Sequence, residues 1–344
     1  MLEIKHTLCP SCSVGCGLNV IVNNGEIVGT FPYKRHPVNA GKNCLNGRKS
    51  IDSYQNRIEK AIISKSETDV EKAMNEVLKE LNGVDNSEVT VICSGNNDIE
   101  AIEALIKFSE SKNYNIAFYA DNLKDFSEVA SYDEIASAEK VFVIGDLLYE
   151  NPLIGRRIVH AKQNGAKIYA LGKTEKSVTF NIADETSNST VQEFLENNQG
   201  NIDSSSVIVF NYVDSQEDLD KIESLNCKFL PVFSKSNSKG ALSIIDVKSS
   251  DEMLELLEST KVLLVFNDDI VDELDFDFGK ISKIISFSPF SNKTTEISDI
   301  IVPTKSWLEK DGTFVNAMGE TQKFTAVVES DVLSEIEIIE KLNG

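Results

Sequence analysis

Four of the six cysteines fall within the first 44 residues, as Cys9, Cys12, Cys16 and Cys44. Three share one short run, CPSCSVGC, and the fourth follows after a gap of 27 residues. Thiolates are soft ligands, so four of them together point to metal chemistry. Pro10 stiffens the run, while Gly15 and Gly17 let the backbone turn close to sulfur. Ligation by four cysteines suits a [4Fe-4S] cluster, whose sulfides accept hydrogen bonds from loop N–H groups. Such a centre exchanges single electrons. A structural zinc ion is the alternative. Zinc sites usually pair two arms of two cysteines, whereas these arms hold three and one, which is the cluster pattern. Cys93 sits in an apolar run, VTVIC, and Cys227 beside a helix end, so both read as packing residues. His6, His36 and His160 are isolated and receive no catalytic role; His6, three residues before Cys9, is placed to shield the sulfurs.

Charge is unevenly distributed. Residues 1–50 carry six Lys/Arg against two acids, while the rest carries 28 basic and 53 acidic residues, within an overall charge of −21. An acidic body argues against a nucleic-acid partner. A basic patch beside an anionic cluster would raise its potential and stabilise its reduced form. No apolar run approaches the roughly 20 residues of a membrane span. The N-terminus, MLEIKHTLCPSC, has no signal-peptide core, and four clustered thiols fit a reducing compartment, so the expected location is cytoplasmic.

Elements must hold these thiols in place. Runs 18–22 and 26–30 flank Asn24-Gly25, a two-residue hairpin signal, so residues 1–52 read as a small β-rich module. Beyond it, helices and strands alternate. Helices are predicted over 70–81, 98–111, 152–163 and about 189–197, 215–224 and 251–258. Buried strands are predicted over 89–93, 141–145, 166–170, 206–210, 229–233, 262–266 and 284–287. Continuous apolar strands between helices imply parallel sheets covered on both faces, with ligands at the strand carboxyl ends. The stretch 234–240, SKSNSKG, reads as a polar loop, and 298–330 turns extended again, as strands able to rejoin the β module. The expected fold class is α/β, a small β-rich iron–sulfur module plus a doubly wound, Rossmann-like parallel-sheet body. The division is 1–52 with the returning segment at about 304–330, and 53–303, the latter in as many as two lobes.

The arrangement CPSCSVGCGLNVIV…NAGKNCLNGR resembles the start of the molybdopterin oxidoreductase superfamily. That superfamily includes formate dehydrogenase large subunits, the molybdenum/tungsten subunits of formylmethanofuran dehydrogenases and the large iron–sulfur subunit of respiratory complex I. The stretch 91–98, VICSGNND, is similar to the family's first sheet strand and its Gly-containing cofactor loop; 138–152, AEKVFVIGDLLYENP, is similar to its next strand and loop. The helix and strand at 156–169 and the stretch 298–322, with its DGTFVN run, also resemble family segments. The resemblance implies a [4Fe-4S] cluster on the four cysteines. It makes Gly95, Asn96, Gly145 and Asp146 candidates for a molybdenum/tungsten bis-pterin guanine dinucleotide. It implies an anaerobe and a hetero-oligomeric complex with ferredoxin-like or flavin-bearing redox subunits.

Departures qualify that inheritance. The chain stops before the family's capping domain. No cysteine lies in 120–127, where the metal ligand is expected, and Asp121, Asp125 and Ser127 are the oxygen alternatives. Asn46 stands where a lysine usually bridges cluster and pterin. The reading is a [4Fe-4S] electron-transfer subunit of a formate-dehydrogenase-like complex, without its own molybdenum or tungsten. The alternative is a catalytic subunit, acting on formate or formylmethanofuran, with the capping domain in trans.

Overall fold

The computed structural model describes residues 1–120 and 122–344. Its first layer is a three-stranded antiparallel sheet of Leu2–Leu8, Gly17–Asn23 and Glu26–Pro32. Asn24 and Gly25 both take positive φ, 52° and 87°, which matches the right-handed twist of the strands they join. Leu8 pairs with Gly17, so the run from Cys9 to Cys16 is the loop closing the first two strands.

Two parallel sheets form the body. The smaller has the order Glu185–Ser187, Lys167–Leu171, Lys140–Ile144, Ser206–Phe210, Lys228–Pro231. The larger runs Val247–Lys248, Asn115–Tyr119, Val89–Cys93, Val262–Phe266, Lys283–Ser288, Ile300–Pro303, and ends in the antiparallel pair Ala61–Ile63 and Ser66–Thr68. Central strands are buried end to end because helices cover both faces: Val262 to Phe266 are all essentially solvent-free. The helix Val70–Leu81 shows how the pattern works. Asp69 accepts from the Lys72 N–H to cap it, and Ala73, Met74, Val77 and Leu81 face the core.

Strand order reverses at one place in each sheet. In the smaller sheet this lies between Ile144 and Phe210, in the larger between Cys93 and Phe266. Those crevices are where open α/β sheets bind ligands.

Several elements depart from the expected pattern. The polar stretch 234–240 runs into a short helix, Ser238–Leu242, which is buried throughout. Its polarity is spent internally: Asn237 donates to the Asn97 carbonyl at 2.8 Å and accepts from the Val315 N–H at 2.8 Å. The strand Asn115–Tyr119 and the terminal helix Glu335–Asn343 were not predicted. The returning segment forms a hairpin, Gly312–Val315 with Thr321–Phe324, against the cysteine loop, where Gln322 donates to the Gly15 carbonyl at 3.1 Å.

Candidate iron–sulfur centre and the clefts beside it

The sulfurs of Cys9, Cys12, Cys16 and Cys44 line one cavity, walled by Val14, Leu18, Pro152 and Leu153. Three come from the loop after the first strand, held shut by the Cys9 N–H bond to the Cys16 carbonyl at 2.8 Å. Cys44 caps the short helix Leu45–Lys49, its sulfur accepting from the Gly47 N–H at 3.3 Å. Asn39 seals the far side. It accepts from the Gly17 N–H and donates to the Gly17 carbonyl, both at 3.0 Å, and donates to the Lys42 carbonyl at 2.7 Å. Gly47 leaves the space between sulfurs clear, since a Cβ there would stand 3.4 Å from Cys9 Sγ and 3.7 Å from Cys44 Sγ. Four cysteines lining one cavity fit a cluster ligated by four thiolates.

The loop is clamped from two distant parts of the chain. The Ser13 N–H donates to the Phe233 carbonyl at 3.0 Å, and Ser13 Oγ accepts from the Phe233 N–H at 2.8 Å. The Ala317 N–H donates to the Ser13 carbonyl at 2.7 Å. Tyr132 adds a hydroxyl bond to the Val14 carbonyl at 2.9 Å. Gly15 has φ of 74°, and a Cβ there would run into Gln322 and Asn316, so only glycine fits this turn.

Burial pushes the Cys9 and Cys16 thiols up, and Cys12 up to about 12, with neighbouring sulfurs adding repulsion. Four thiolates there need a compensating cation, which iron supplies. Asn151 works the other way, hydrogen-bonding Cys12 and favouring its anion. Its Oδ1 accepts from Asn211 Nδ2 at 3.1 Å, which leaves its own NH2 to face sulfur. Replacing Asn151 with leucine is expected to lower the centre's potential and speed iron release to a chelator roughly tenfold. Unchanged release would remove Asn151 from this role.

Three clefts lie along the strand ends, and one of them reaches the cysteines. One, of about 970 Å³, runs from Cys12 and Cys44 past Tyr149 and Asn151 to Asn211 and Ser234. A second, of about 1150 Å³, continues along Tyr119, Tyr212, Phe233 and Lys235. The third, of about 1200 Å³, passes Asn46, Asn96, Asp268 and Trp307. The four pterin candidates sit at the two strand-order reversals, but their contacts differ. Asn96 lines the third cleft. Gly95 is pressed against Ser238, where a Cβ would lie 2.5 Å from its Oγ. Gly145, with φ of 114°, makes room for Asn211. Asp146 accepts from the Val178 and Thr179 N–H groups, both at 2.9 Å. Asn211, Asn267 and Asp268 enter these walls from the facing strands, and no local motif marked them. Of the oxygen alternatives, Asp125 pairs with Lys239 at 2.5 Å, Ser127 is exposed, and Asp121 lies outside the described residues.

Lys235 lines the second cleft, held at 2.6 Å by Asp268, which lines the third, and at 2.8 Å by Glu273. Burial, then the Asp268 charge, raise the Glu273 carboxyl to about 7 against the pull of Lys235. The folded state therefore keeps a proton that the unfolded chain releases between the ordinary value of 4.5 and about 7. Stability falls as pH rises through that window and levels off above it. Glu273→Gln is expected to add roughly 1–3 kcal/mol above pH 7 and nothing near pH 4, measured by urea unfolding.

The family model for the molybdopterin oxidoreductase Fe4S4 domain matches residues 2–56, and that for molybdopterin oxidoreductase matches residues 195–335. The chain is a member of the molybdopterin oxidoreductase superfamily. It is 32% identical over 191 residues to the F420-dependent formate dehydrogenase 1 subunit alpha of Methanococcus maripaludis. It is 30% identical over 194 residues to the F420-dependent formate dehydrogenase subunit alpha of Methanocaldococcus jannaschii. Each match spans 49% of this chain and 28% of the relative, little more than a quarter of the relatives' length. Among solved structures, acetylene hydratase from Pelobacter acetylenicus shares the fold at a TM-score of 0.66 and 13% identity, covering 98% of this chain and 68% of that one. A chain of the formyltransferase/hydrolase complex from Methylorubrum extorquens shares it at 0.54 and 11%, covering 82% and 97%. This superfamily member therefore has the Fe4S4 domain of a formate-dehydrogenase-like protein, on the mixed α/β fold expected. No helix of the described residues is long and apolar enough to cross a membrane.

Proposed function

We propose that this chain is the [4Fe-4S]-carrying electron-transfer subunit of a formate-dehydrogenase-like complex, working without its own molybdenum or tungsten. Cys9, Cys12, Cys16 and Cys44 would hold the cluster, within the module of residues 1–52 and the returning 304–330. The observation that carries the reading is their shared cavity, closed by protein on the Cys9 and Cys16 side and bordered by a cleft at Cys12 and Cys44. The cluster supplies reversible one-electron chemistry when bound. The protein's part is to exclude water from the sulfurs and fix their spacing. A single relay needs a redox neighbour, so a ferredoxin-like or flavin-bearing subunit belongs beside it.

A specific observation supports a second reading. The clefts between cysteines and strand ends are open, with room for flat heterocycles of the pterin kind. A bis-pterin would meet Asn96, Asn211, Tyr212 and Trp307 there. Of the two described donor candidates, Asp125 is tied to Lys239 and neither it nor Ser127 lines these clefts. No step is therefore routed through such a metal.

Metal and pterin analysis of the anaerobically purified protein separates the two. The first reading expects about four irons per chain, dithionite-bleached absorbance and no stoichiometric molybdenum or tungsten. Stoichiometric molybdenum or tungsten with pterin would replace it with the catalytic reading, and formate-dependent dye reduction would then identify the substrate.

A further inference from the structure

Many exposed lysines on the body stand against an acid, as Lys60 does with Glu67, Lys167 with Glu185 and Lys280 with Glu258, while others such as Lys65, Lys72 and Lys176 stand singly among the described residues. The segment that brings Cys44 to the cavity gathers several unpaired cations in one short stretch. Lys34, Arg35, Lys42 and Arg48 are all exposed, and none makes an ion pair among the described residues. The chain folds them together. The Ala40 N–H donates to the His36 carbonyl at 2.9 Å and the Lys42 N–H to the Asn39 carbonyl at 2.9 Å. Gly41 seats against Lys34, where a Cβ would be 3.2 Å from the Lys34 Cα. The Arg48 carbonyl accepts from Thr30 Oγ1 on the neighbouring strand at 3.2 Å.

Lys42 and Arg48 flank Cys44 in the chain, and Cys44 is one of two half-buried cysteines of the set. Cys9 and Cys16 are buried, Cys12 and Cys44 are half-buried, and Leu45 beside Cys44 is 56% exposed. Unpaired like charges held together repel one another, so an isolated chain gains nothing by gathering them. An exposed apolar side chain in a segment of unpaired cations is the composition of a contact surface for an anionic partner. The remainder of the chain, with 53 acidic residues against 28 basic ones, repels the same partner and leaves this face as its point of approach.

We propose that this face, from Lys34 to Arg48, docks an acidic electron-carrier protein of the ferredoxin type, which exchanges electrons with the centre past Cys44. The inference rests on the electron-transfer reading above and names its partner class. One electron moves: the carrier's reduced centre is oxidised, the [4Fe-4S] centre passes from its 2+ to its 1+ state, and no bond forms or breaks. Reversal of the step returns the electron to an oxidised carrier.

The test is stopped-flow reduction of the anaerobically purified protein by a reduced, acidic [2Fe-2S] ferredoxin, across a range of ionic strengths. The fourfold variant K34E/R35E/K42E/R48E is compared with the parent, and a K34Q/R35Q/K42Q/R48Q set provides milder substitutions should charge reversal disturb folding. The parent's rate is expected to fall with added salt. The reversed variant is expected to react at least about tenfold more slowly at low ionic strength, with its salt dependence abolished. Dithionite, a small reductant that needs no docking face, should reduce both alike. A dithionite-reducible centre whose ferredoxin kinetics ignore the substitutions overturns this proposal alone. Absence of any dithionite-reducible centre overturns the electron-transfer reading as well. Salt-reversible pairing of two copies of the chain, lost in the variant, assigns the face to the acidic body of a second copy and also overturns it.

Discussion

Replacing Cys16 with alanine is expected to strip the chain of its iron–sulfur absorbance, with iron falling from about four atoms per chain to below about one. The reason is the rigidity of the loop. Cys16 is 8% exposed and fixed by its carbonyl bond to Cys9, while Gly15 beside it admits no other residue. No spare thiol can take its place. Cys93 is fully buried in the strand Val89–Cys93, where its Sγ faces the Ala117 carbonyl at 3.8 Å. Cys227 packs with the cluster of apolar side chains around Phe229 and Phe210. The matched control is Cys93→Ala, which removes a thiol of the same type from the core at a cost of about 1 kcal/mol and leaves iron content unchanged. Iron assay, with electron paramagnetic resonance after dithionite reduction, reads both variants. Full iron in the Cys16→Ala protein would show that the cluster is ligated elsewhere.

Lys310→Met is expected to cost about 3–5 kcal/mol of stability, measured by urea unfolding. Lys310, its side chain 12% exposed, pairs at 2.6 Å with both Asp98 and Glu335. Asp98 also caps the helix Ile99–Lys112, and Glu335 begins the terminal helix Glu335–Asn343, which packs against that same helix. One ammonium thus ties the returning segment to two helices. Its two carboxylates hold it charged above the usual lysine range, against the desolvation that opposes them. Methionine fills the volume but leaves two buried carboxylates without a countercharge. The damage should reach the cysteines, because the segment from Lys310 leads directly to Ala317 and Gln322, which brace Ser13 and Gly15. Removing all three charges with Lys310→Met, Asp98→Asn and Glu335→Gln together should recover much of the loss. A triple variant as unstable as the single one would locate the cost in packing instead.

Much of this architecture could be read from the chain because it is written locally. The helices Val70–Leu81 and Pro152–Gln163 occupy the predicted bounds, since apolar spacing, an Asp69 cap and an N-terminal proline all act within one turn. The strands Ser206–Phe210 and Val262–Phe266 are continuous apolar runs, which parallel sheets require. The cysteine set was legible for the same reason, as three of its members lie within eight residues. What escaped depends on contacts between distant segments. Ser236 to Gly240 look like solvent-exposed polar residues, yet they are buried because Asn97 and Val315 supply partners that no local pattern reveals. Asn39, Asn151 and Asn211 are ordinary asparagines in sequence, and only the fold brings them to the sulfurs and the cleft. Gly95, Gly145 and Asp146 show the converse. Their sequence context suggested a ligand, and much of their surface is occupied by the protein itself.

The bracing of the cysteine loop also sets an order of events in the life of the molecule. Ser13 meets Ala317, and Gly15 meets Gln322 across 307 residues. At translation rates of about 5–20 residues per second, the thiols emerge many seconds before the strands that close over them exist. During that interval they are open to oxygen, to adventitious metal and to one another. Iron must therefore reach the thiols before the C-terminal hairpin has settled over them, or the hairpin must open again afterwards.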